Sequence, residues 1–285
     1  MLHPRTHLSD DDLRAVADLE RRVVAADGGR LKIEWEQLRA RSTDPGAGPT
    51  TDLLWSDPQQ GGRVVGYVGF DSWDGRTVEL VGMVDPAARG RGIGTALLDA
   101  AVPVCRDRGF TRALLIVPRP SAAGHRLARR RGAPVEHSEH ALRLDAPPPP
   151  GDEDPRTTLR PATAGDLDVL AELLTAAFGQ APTHLRAGLA GGGTLVVEHD
   201  GAVVGTVRRQ RDGSSGGVYG FAVAPGSQGR GIGRDVLRRV SRRFFADGAT
   251  SVHLEVAVDN DRALGLYTSV GFTLVQTEDY HDLPL

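Results

Sequence analysis

Lysine, cysteine and long apolar runs are nearly absent from this 285-residue sequence. Lys32 is the only lysine and Cys105 the only cysteine. A single cysteine excludes a disulfide framework within the chain. No apolar run approaches the roughly 18–20 residues of a membrane-spanning helix, and the N-terminal residues lack an apolar signal-peptide core. These absences predict a cytoplasmic protein with no membrane partner.

Excess charge of either sign is also missing. The formal net charge is −3, which gives no reason to expect nucleic acid as a partner. A chain of 285 residues suits two domains of about 140 residues each. Four consecutive prolines followed by an acidic run predict a semi-rigid linker at residues 146–156. The predicted domains are therefore residues 1–145 and residues 157–285.

The two halves share a repeated glycine-rich segment. Residues 90–94 and residues 229–233 both read Gly-Arg-Gly-Ile-Gly, and each copy follows a Val-x-Pro turn and precedes an apolar helical pattern. Each half reads as a hairpin-rich sheet followed by strand, turn, helix, strand and helix. That order predicts an α/β fold with a mixed sheet. Hairpins are predicted within Val135–Leu144 and from Phe272–Val275 onwards.

Each glycine-rich turn suits a bound pyrophosphate. Glycine lets the backbone approach a ligand, and the first N–H groups of the following helix have no partner within the helix. The third glycine comes one residue too early for a dinucleotide fingerprint, and the lysine of a nucleotide-binding P-loop is missing. A turn that needs glycine for packing alone remains the alternative, although the repeat weakens it.

The pattern Gln/Arg-x-x-Gly-x-Gly after Val-x-Pro resembles the coenzyme loop of the GCN5-related N-acetyltransferases (GNAT). Residues 260–272 are similar to a second signature of that family, Asn-x-x-Ala-x-x-x-Tyr-x-x-x-Gly-Phe. The resemblance implies two tandem domains, each with a mixed, mostly antiparallel, V-splayed sheet. It also implies acetyl-CoA as co-substrate and a small-molecule or peptide amine as acceptor, in a monomer or homodimer. No cluster of cysteine and histidine suggests a metal site.

The resemblance also implies which residues contact the coenzyme. In the second half these are Phe221, Ala222, Val223, Gln228, Gly229, Arg230, Gly231, Ile232, Gly233 and Asn260. In the first half they are Val84, Arg89, Gly90, Arg91, Gly92 and Gly94.

Two catalytic roles follow from the same resemblance. Tyr267 matches the tyrosine beside the coenzyme sulfur, and a phenol is protonated at neutral pH and able to protonate a thiolate. Many members carry a glutamate base where this chain has Gly217. Glu255 is the alternative base, a water relay to a more distant base is another, and Tyr219 is a weaker candidate in the cleft.

The first half departs from the second signature, because Ala128 stands where the repeat places Tyr267. It is therefore predicted to be catalytically degenerate, either kept for packing or still able to bind acetyl-CoA. The tandem layout is similar to that of the mycothiol synthases, which acetylate a cysteinyl amine, although Gly217 argues against that activity. The rival functions are a non-catalytic acyl-CoA sensor or scaffold and, more weakly, a nucleotide-binding dehydrogenase.

Overall fold

The computed structural model describes residues 1–42, 48–72, 74–151, 153–179 and 185–285. These form two compact units, one of residues 1–139 with 276–285 and one of residues 140–275. The proline-rich segment 146–156 lies within the second unit, and its Asp152 is outside the described residues. Its role as a linker stays a prediction. In the described part of the chain, no helix has the length and apolar character needed to cross a membrane.

The first unit is built on a six-stranded sheet. Its elements are β1 (Leu2–Arg5), α1 (Asp10–Asp27), α2 (Trp35–Ser42), β2 (Asp52–Asp57), β3 (Arg63–Asp71), β4 (Thr77–Val84), α3 (Ile93–Asp107), β5 (Arg112–Pro118), α4 (Ala122–Arg130), the start of β6 (Val135–Leu144) and most of β12 (Thr273–Leu283). The strand order is β1-β2-β3-β4-β5-β12. Among the described strand pairs of this unit, only β4 and β5 pair in parallel.

The second unit repeats this plan. Its elements are the end of β6, β7 (Thr157–Pro161), α5 (Leu167–Phe178), α6 (Leu185–Ala190), β8 (Thr194–His199), β9 (Ala202–Asp212), β10 (Ser215–Val223), α7 (Ile232–Ala246), β11 (Ser251–Ala257), α8 (Asp261–Val270) and the start of β12. The strand order is β7-β8-β9-β10-β11-β6, and β10 pairs with β11 in parallel. The predicted mixed, mostly antiparallel α/β fold is confirmed.

Local sequence signals explain where the helices begin and how they pack. Ser9 caps α1 through a reciprocal pair of hydrogen bonds with Asp12, which satisfies backbone N–H groups that have no partner in the helix. In α7, Val236, Val240 and Phe244 recur at helical spacing and are buried against the sheet of the second unit. The cap at Ser9 predicts the start of α1 from the sequence, and the apolar spacing predicts α7.

Two predicted hairpins are wrong. Residues 135–144 form the single strand β6, and the segment beginning at Phe272 continues as the single strand β12 to Leu283. Neither stretch contains a glycine or asparagine to supply the positive φ of a tight hairpin turn, so both remain extended. The division between the units falls within these two strands. The short strand β1 was not predicted.

Candidate functional site

A cleft opens in the second unit where its two parallel strands stop pairing. The last paired row of β10 and β11 is Gly217 opposite His253. Two residues further on, the pairing of β10 with β9 shifts between Tyr219 and Ala222, and Gly220 adopts a positive φ of 52°. A bulge at this point bends one strand away from its neighbour. The V-shaped splay that the sequence predicts therefore begins at Tyr219.

The glycine-rich turn lies at the start of α7. Gly229 and Gly231 have φ values of 77° and 84°, and Gly231 occupies the N-cap position without any side-chain cap. A Cβ added at Gly231 would meet no atom within 4 Å. Ile232 is buried and fixes the first turn of the helix in the core. The first N–H groups of α7 therefore open onto free space that suits an anion.

Gly233 has a different role in the same turn. A Cβ added there would lie 3.2 Å from a methyl carbon of Leu266, so glycine allows α7 and α8 to pack closely. Phe221 and Val223 line the same contact, because that Cβ would approach their side chains to 3.8 and 3.9 Å. The third glycine of this loop thus serves helix packing.

Two polar side chains flank the turn. Gln228 donates to the carbonyl of Val223 and accepts from Arg262 at 2.8 Å each. Arg230 lies 3.0 Å from His199 Nε2, and a guanidinium only donates, so Nε2 accepts. The carboxylate of Asp200 is 3.8 Å from Arg230. Arg230 thus keeps most of its charge available to a ligand.

Helix α8 carries the second predicted signature. Asn260 caps this helix by accepting from the N–H of Ala263 at 3.0 Å. Tyr267 is 8% exposed, and its ring centroid lies 6.4 Å from that of Phe272. Burial raises the pKa of Tyr267 to about 12. The phenol therefore stays protonated throughout the neutral range.

The predicted base lies on the opposite face of the sheet from α7 and α8. Val252, Leu254 and Val256 of β11 point into the core beneath those helices. Because side chains alternate along a strand, Glu255 points to the other face. Glu255 and Tyr267 therefore lie on opposite faces of this sheet, Glu255 on the face that α5 covers.

Glycine at position 217 leaves room for a neighbouring side chain on the same face of the sheet. A Cβ at Gly217 would lie 2.4 Å from the ring of Tyr219, which folds back over it. The hydroxyl of Tyr219 lies 3.1 Å from His253 Nε2. A glutamate at position 217 would require the ring of this tyrosine to move. His253 was not predicted as a site residue, because the strand register that brings it to Tyr219 is not visible in the sequence.

The glycine-rich turn of the first unit has the same backbone and a different charge. Gly90 and Gly92 have φ values of 77° and 79°, and Gly92 is the N-cap of α3 without a side-chain cap. Arg89 donates to the carbonyl of Val84, as Gln228 donates to that of Val223 in the second unit. Gly94 packs against Leu127 as Gly233 packs against Leu266.

Both arginines of that turn are paired with carboxylates. Arg89 donates to Asp27 at 2.8 and 2.6 Å, and Arg91 donates to Asp57 at 2.7 Å. The hydrogen bond from Arg91 holds the pKa of the Asp57 carboxyl below its usual range. The first turn therefore offers an anion less positive charge than the second.

The described part of the first unit differs from the second at the helix and strands that follow the turn. Ser121 caps α4 as Asn260 caps α8, which confirms the alignment of the two halves at this helix, and the buried residue at the position of Tyr267 is Ala128. Strands β4 and β5 stay paired over five rows, from Thr77 to Val81 on β4. The described residues of β3 and β4 pair without a register shift.

Other candidate residues take structural positions. Cys105 is buried, and desolvation raises its thiol pKa to about 11, which disfavours a nucleophilic thiolate. His137 stacks on the ring of Tyr280 with centroids 4.2 Å apart. No group of three or more possible metal-ligating side chains occurs among the residues that the structure describes.

Two stretches of the chain match the sequence model of one protein family. The model of the acetyltransferase (GNAT) family matches residues 25–133 and again residues 167–272. The chain is 33% identical over 258 residues to a mycothiol acetyltransferase from Frankia casuarinae, and the match covers 77% of this chain and 72% of that one.

Solved structures with the same fold span the whole chain. A GCN5-related N-acetyltransferase from Sphaerobacter thermophilus matches with a TM-score of 0.80 at 22% identity, over 100% of this chain and 96% of that one. A tandem GNAT protein from the clavulanic acid biosynthesis pathway matches with a TM-score of 0.70 at 18% identity, over 100% and 99%. At these identities the two structures show the fold alone.

Proposed function

Because this chain belongs to the acetyltransferase (GNAT) family and is thus an acyl-CoA-dependent acetyltransferase, we propose that it transfers the acetyl group of acetyl-CoA to a primary amine. The transfer takes place in the second unit by direct attack within a ternary complex. The observation that carries the proposal is the cleft of that unit, which combines an uncapped glycine-rich turn, splayed strands and a buried protonated tyrosine.

The turn before α7 is the proposed pyrophosphate site. The N–H groups at the start of α7 point at the anion, and the helix dipole adds about half a positive charge. Arg230 adds a charge-assisted hydrogen bond, with Gln228 and Gly229 on the same side. Asn260 lies beside the pantetheine arm in this arrangement. The space at Gly231 is open, since an added Cβ there would meet no atom within 4 Å.

A backbone N–H of β10 is proposed to polarise the acetyl carbonyl. The N–H of Ala224 donates to Val204 on β9 at 2.7 Å. Successive N–H groups of a strand point to opposite sides, so the N–H of Val223 faces away from β9 and into the cleft. This alternation favours Val223 over Ala222 among the three predicted positions. Phe221 lies within the register shift, where the alternation is interrupted. Such a donor stabilises the oxyanion that forms during attack.

Tyr267 and Glu255 are proposed to handle the protons. Tyr267 donates to the sulfur as the carbon–sulfur bond breaks, because its raised pKa keeps it protonated. Glu255 supplies the negative charge that favours deprotonation of the acceptor ammonium. It acts either as the base itself or by stabilising a neighbouring group that takes the proton.

The first unit is proposed to bind acetyl-CoA more weakly and to carry out no transfer. Its turn, formed by Val84 and residues 89–94, keeps the backbone conformation of the second turn, but its arginines are already paired. In the domain boundaries proposed from the sequence, residues 1–145 form the degenerate domain and residues 157–285 form the catalytic domain. Residues 146–156 are the proposed linker between them.

A mycothiol-type acceptor is the second candidate. The relative at 33% identity carries that activity in its name, and its match extends over most of both chains. The cysteinyl amine of a thiol precursor is then the acceptor. The tyrosine over Gly217 counts against it, because no carboxylate stands at that position.

An amine panel tests the proposed function. The purified chain is supplied with acetyl-CoA and with small alkylamines, aminosugars, a peptide N-terminus and a cysteinyl amine, and release of free CoA is followed. Because the cysteinyl amine carries its own thiol, product is followed there by mass spectrometry. We expect amine-dependent release with at least one acceptor. Coenzyme binding without amine-dependent release from any acceptor indicates a sensor, and binding of NAD in place of CoA indicates a dehydrogenase.

A further inference from the structure

A histidine in the second unit is held between two hydroxyl groups. His253 Nε2 lies 3.1 Å from the hydroxyl of Tyr219, and Nδ1 lies 3.1 Å from Ser215 Oγ. Ser215 Oγ is in turn 3.2 Å from Ser251 Oγ. The four side chains form a continuous row of hydrogen-bonding groups along one face of β10 and β11. Neither Ser215 nor Ser251 is fully buried, so the row ends near solvent.

The chemistry of these groups allows a proton to pass through the imidazole. A hydroxyl both donates and accepts, so either neutral tautomer of His253 keeps both hydrogen bonds. The protonated ring also keeps both, since each hydroxyl can accept. A proton entering at Nε2 and leaving from Nδ1 therefore leaves no nitrogen without a partner. A backbone carbonyl at either end would favour one tautomer and oppose this exchange.

The row begins at the mouth of the cleft. His253 belongs to the last paired row of the parallel strands, and Tyr219 lies just beyond it, where the strands separate. Contact with Gly217 fixes the tyrosine ring from one side, and the guanidinium of Arg208 lies 4.5 Å from its centroid. The hydroxyl is therefore fixed toward His253.

A carboxylate on the same strand accompanies the histidine. By strand alternation, the charged side chains on the face of His253 are Arg208 of β9, Glu139 and Arg143 of β6, and Glu255 of β11, and α5 on that face carries Asp168 and Glu172. Asp168 and Glu172 are exposed. Glu255 stands two residues along β11 on the same face as His253, about 7 Å away at strand rise. Its negative charge favours a protonated imidazole.

We propose that Tyr219 and His253 form the proton relay of the acetyl transfer, with His253 as the group that takes the proton of the acceptor. The proposal rests on the function proposed above and names its base. The ammonium gives one proton to the oxygen of Tyr219 while the hydroxyl proton passes to His253 Nε2. The neutral amine then forms the nitrogen–carbon bond, and the carbon–sulfur bond breaks.

The protons balance across these reaction steps. The sulfur leaves with the proton that Tyr267 donates, and the second nitrogen proton restores the phenol of Tyr267 through solvent. His253 returns its proton by way of Ser215. One proton per turnover is released to solvent, as required when an ammonium and a thioester become an amide and a thiol. Tyr219 contacts the acceptor and is a catalytic residue here, whereas Ser215 is a positioning residue.

The test compares acceptors that do and do not need deprotonation. The best amine of the panel is paired with the analogue in which oxygen precedes its nitrogen, as O-benzylhydroxylamine corresponds to benzylamine. The analogue is already neutral at neutral pH. In Tyr219→Phe, which keeps the ring over Gly217, we expect kcat/KM at neutral pH to fall about 100-fold for the amine and by less than about threefold for its analogue. His253→Gln should show the same pattern.

Controls separate this proposal from a structural role and from the function itself. Equal losses for both acceptors would mean that Tyr219 only shapes the cleft, and would overturn the relay. A loss confined to Glu255→Gln would make Glu255 the direct base and also overturn it. In the double variant Tyr219→Phe/His253→Gln, the loss should not exceed that of either single variant, because the two act as one unit. If none of the amines in the panel supports CoA release by the unmodified protein, the proposed function fails, and the relay fails with it.

Discussion

Replacing Tyr267 with phenylalanine should lower activity without lowering stability. The phenol is 8% exposed, and its hydroxyl has no hydrogen-bond partner within the part of the chain that the structure describes. Removing the hydroxyl therefore sacrifices no intramolecular hydrogen bond. The free energy of unfolding should stay the same or rise by up to about 1 kcal/mol.

The activity of Tyr267→Phe should fall because the hydroxyl acts on the leaving group. Loss of a positioned acid costs about 100-fold or more, which is at least about 2.7 kcal/mol of barrier. Full transfer from a phenol of pKa about 12 to a thiolate whose thiol has a pKa of about 8.5 is uphill by roughly 5 kcal/mol. The proton therefore moves as the carbon–sulfur bond breaks, and the hydrogen bond to sulfur contributes most where charge develops.

Three measurements on one preparation check this reasoning. Denaturant titration gives the change in stability, calorimetry gives the affinity for acetyl-CoA, and CoA release gives kcat. We expect stability and affinity near those of the unmodified protein and kcat reduced about 100-fold. Unchanged kcat, or a clear loss of stability, would show that Tyr267 is a packing residue and would refute its role as an acid.

Three further predictions concern charge. Because its pKa is raised to about 12, Tyr267 should stay protonated in the folded state as pH rises through 10. Near-ultraviolet absorbance of the folded protein should therefore show a phenol that ionises late, and this phenol should be missing in Tyr267→Phe. Asp27→Asn should release Arg89 from its ion pair and raise the affinity of the weaker of two coenzyme sites several-fold. Calorimetry measures this affinity, and an unchanged value would show that the ion pair does not limit binding. The hydrogen bond from Arg160 holds the pKa of the Asp166 carboxyl well below its usual 3.8, so this stabilisation is present above pH 4 and lost on acidification; thermal unfolding of Asp166→Asn should depend less on pH in that range.

The sequence predicts the repeated plan because the signals are local. Helical spacing of Val236 and Val240 identifies α7, and the turn Asp200-Gly201 identifies the hairpin of β8 and β9. Each glycine-rich turn is identified from its own five residues and from its copy in the other half. Such patterns are independent of how distant segments pair.

Features that depend on pairing between distant segments were not predicted. The lengths of β6 and β12 depend on the strands beside them, and the lack of glycine and asparagine within them indicates only that a tight turn is disfavoured. The contact between Tyr219 and His253 depends on the parallel register, which sets Gly217 opposite His253. The pairing of Arg91 with Asp57 likewise joins two residues that are distant in the sequence. The unequal charge of the two turns is therefore a tertiary property.

The central claim is that two turns with the same sequence have unequal roles, and a matched pair of variants tests it most directly. Gly92 and Gly231 are both N-cap residues, with φ of 79° and 84°, and a Cβ at either would meet no atom within 4 Å. Aspartate tolerates this conformation and the N-cap position, so Gly92→Asp and Gly231→Asp should affect folding equally while each places a carboxylate in its anion site. The measurement is kcat/KM for acetyl-CoA with the best acceptor. We predict a loss of more than about tenfold for Gly231→Asp and less than about twofold for Gly92→Asp. Equal losses, or a larger loss in Gly92→Asp, would contradict the assignment of transfer to the second unit.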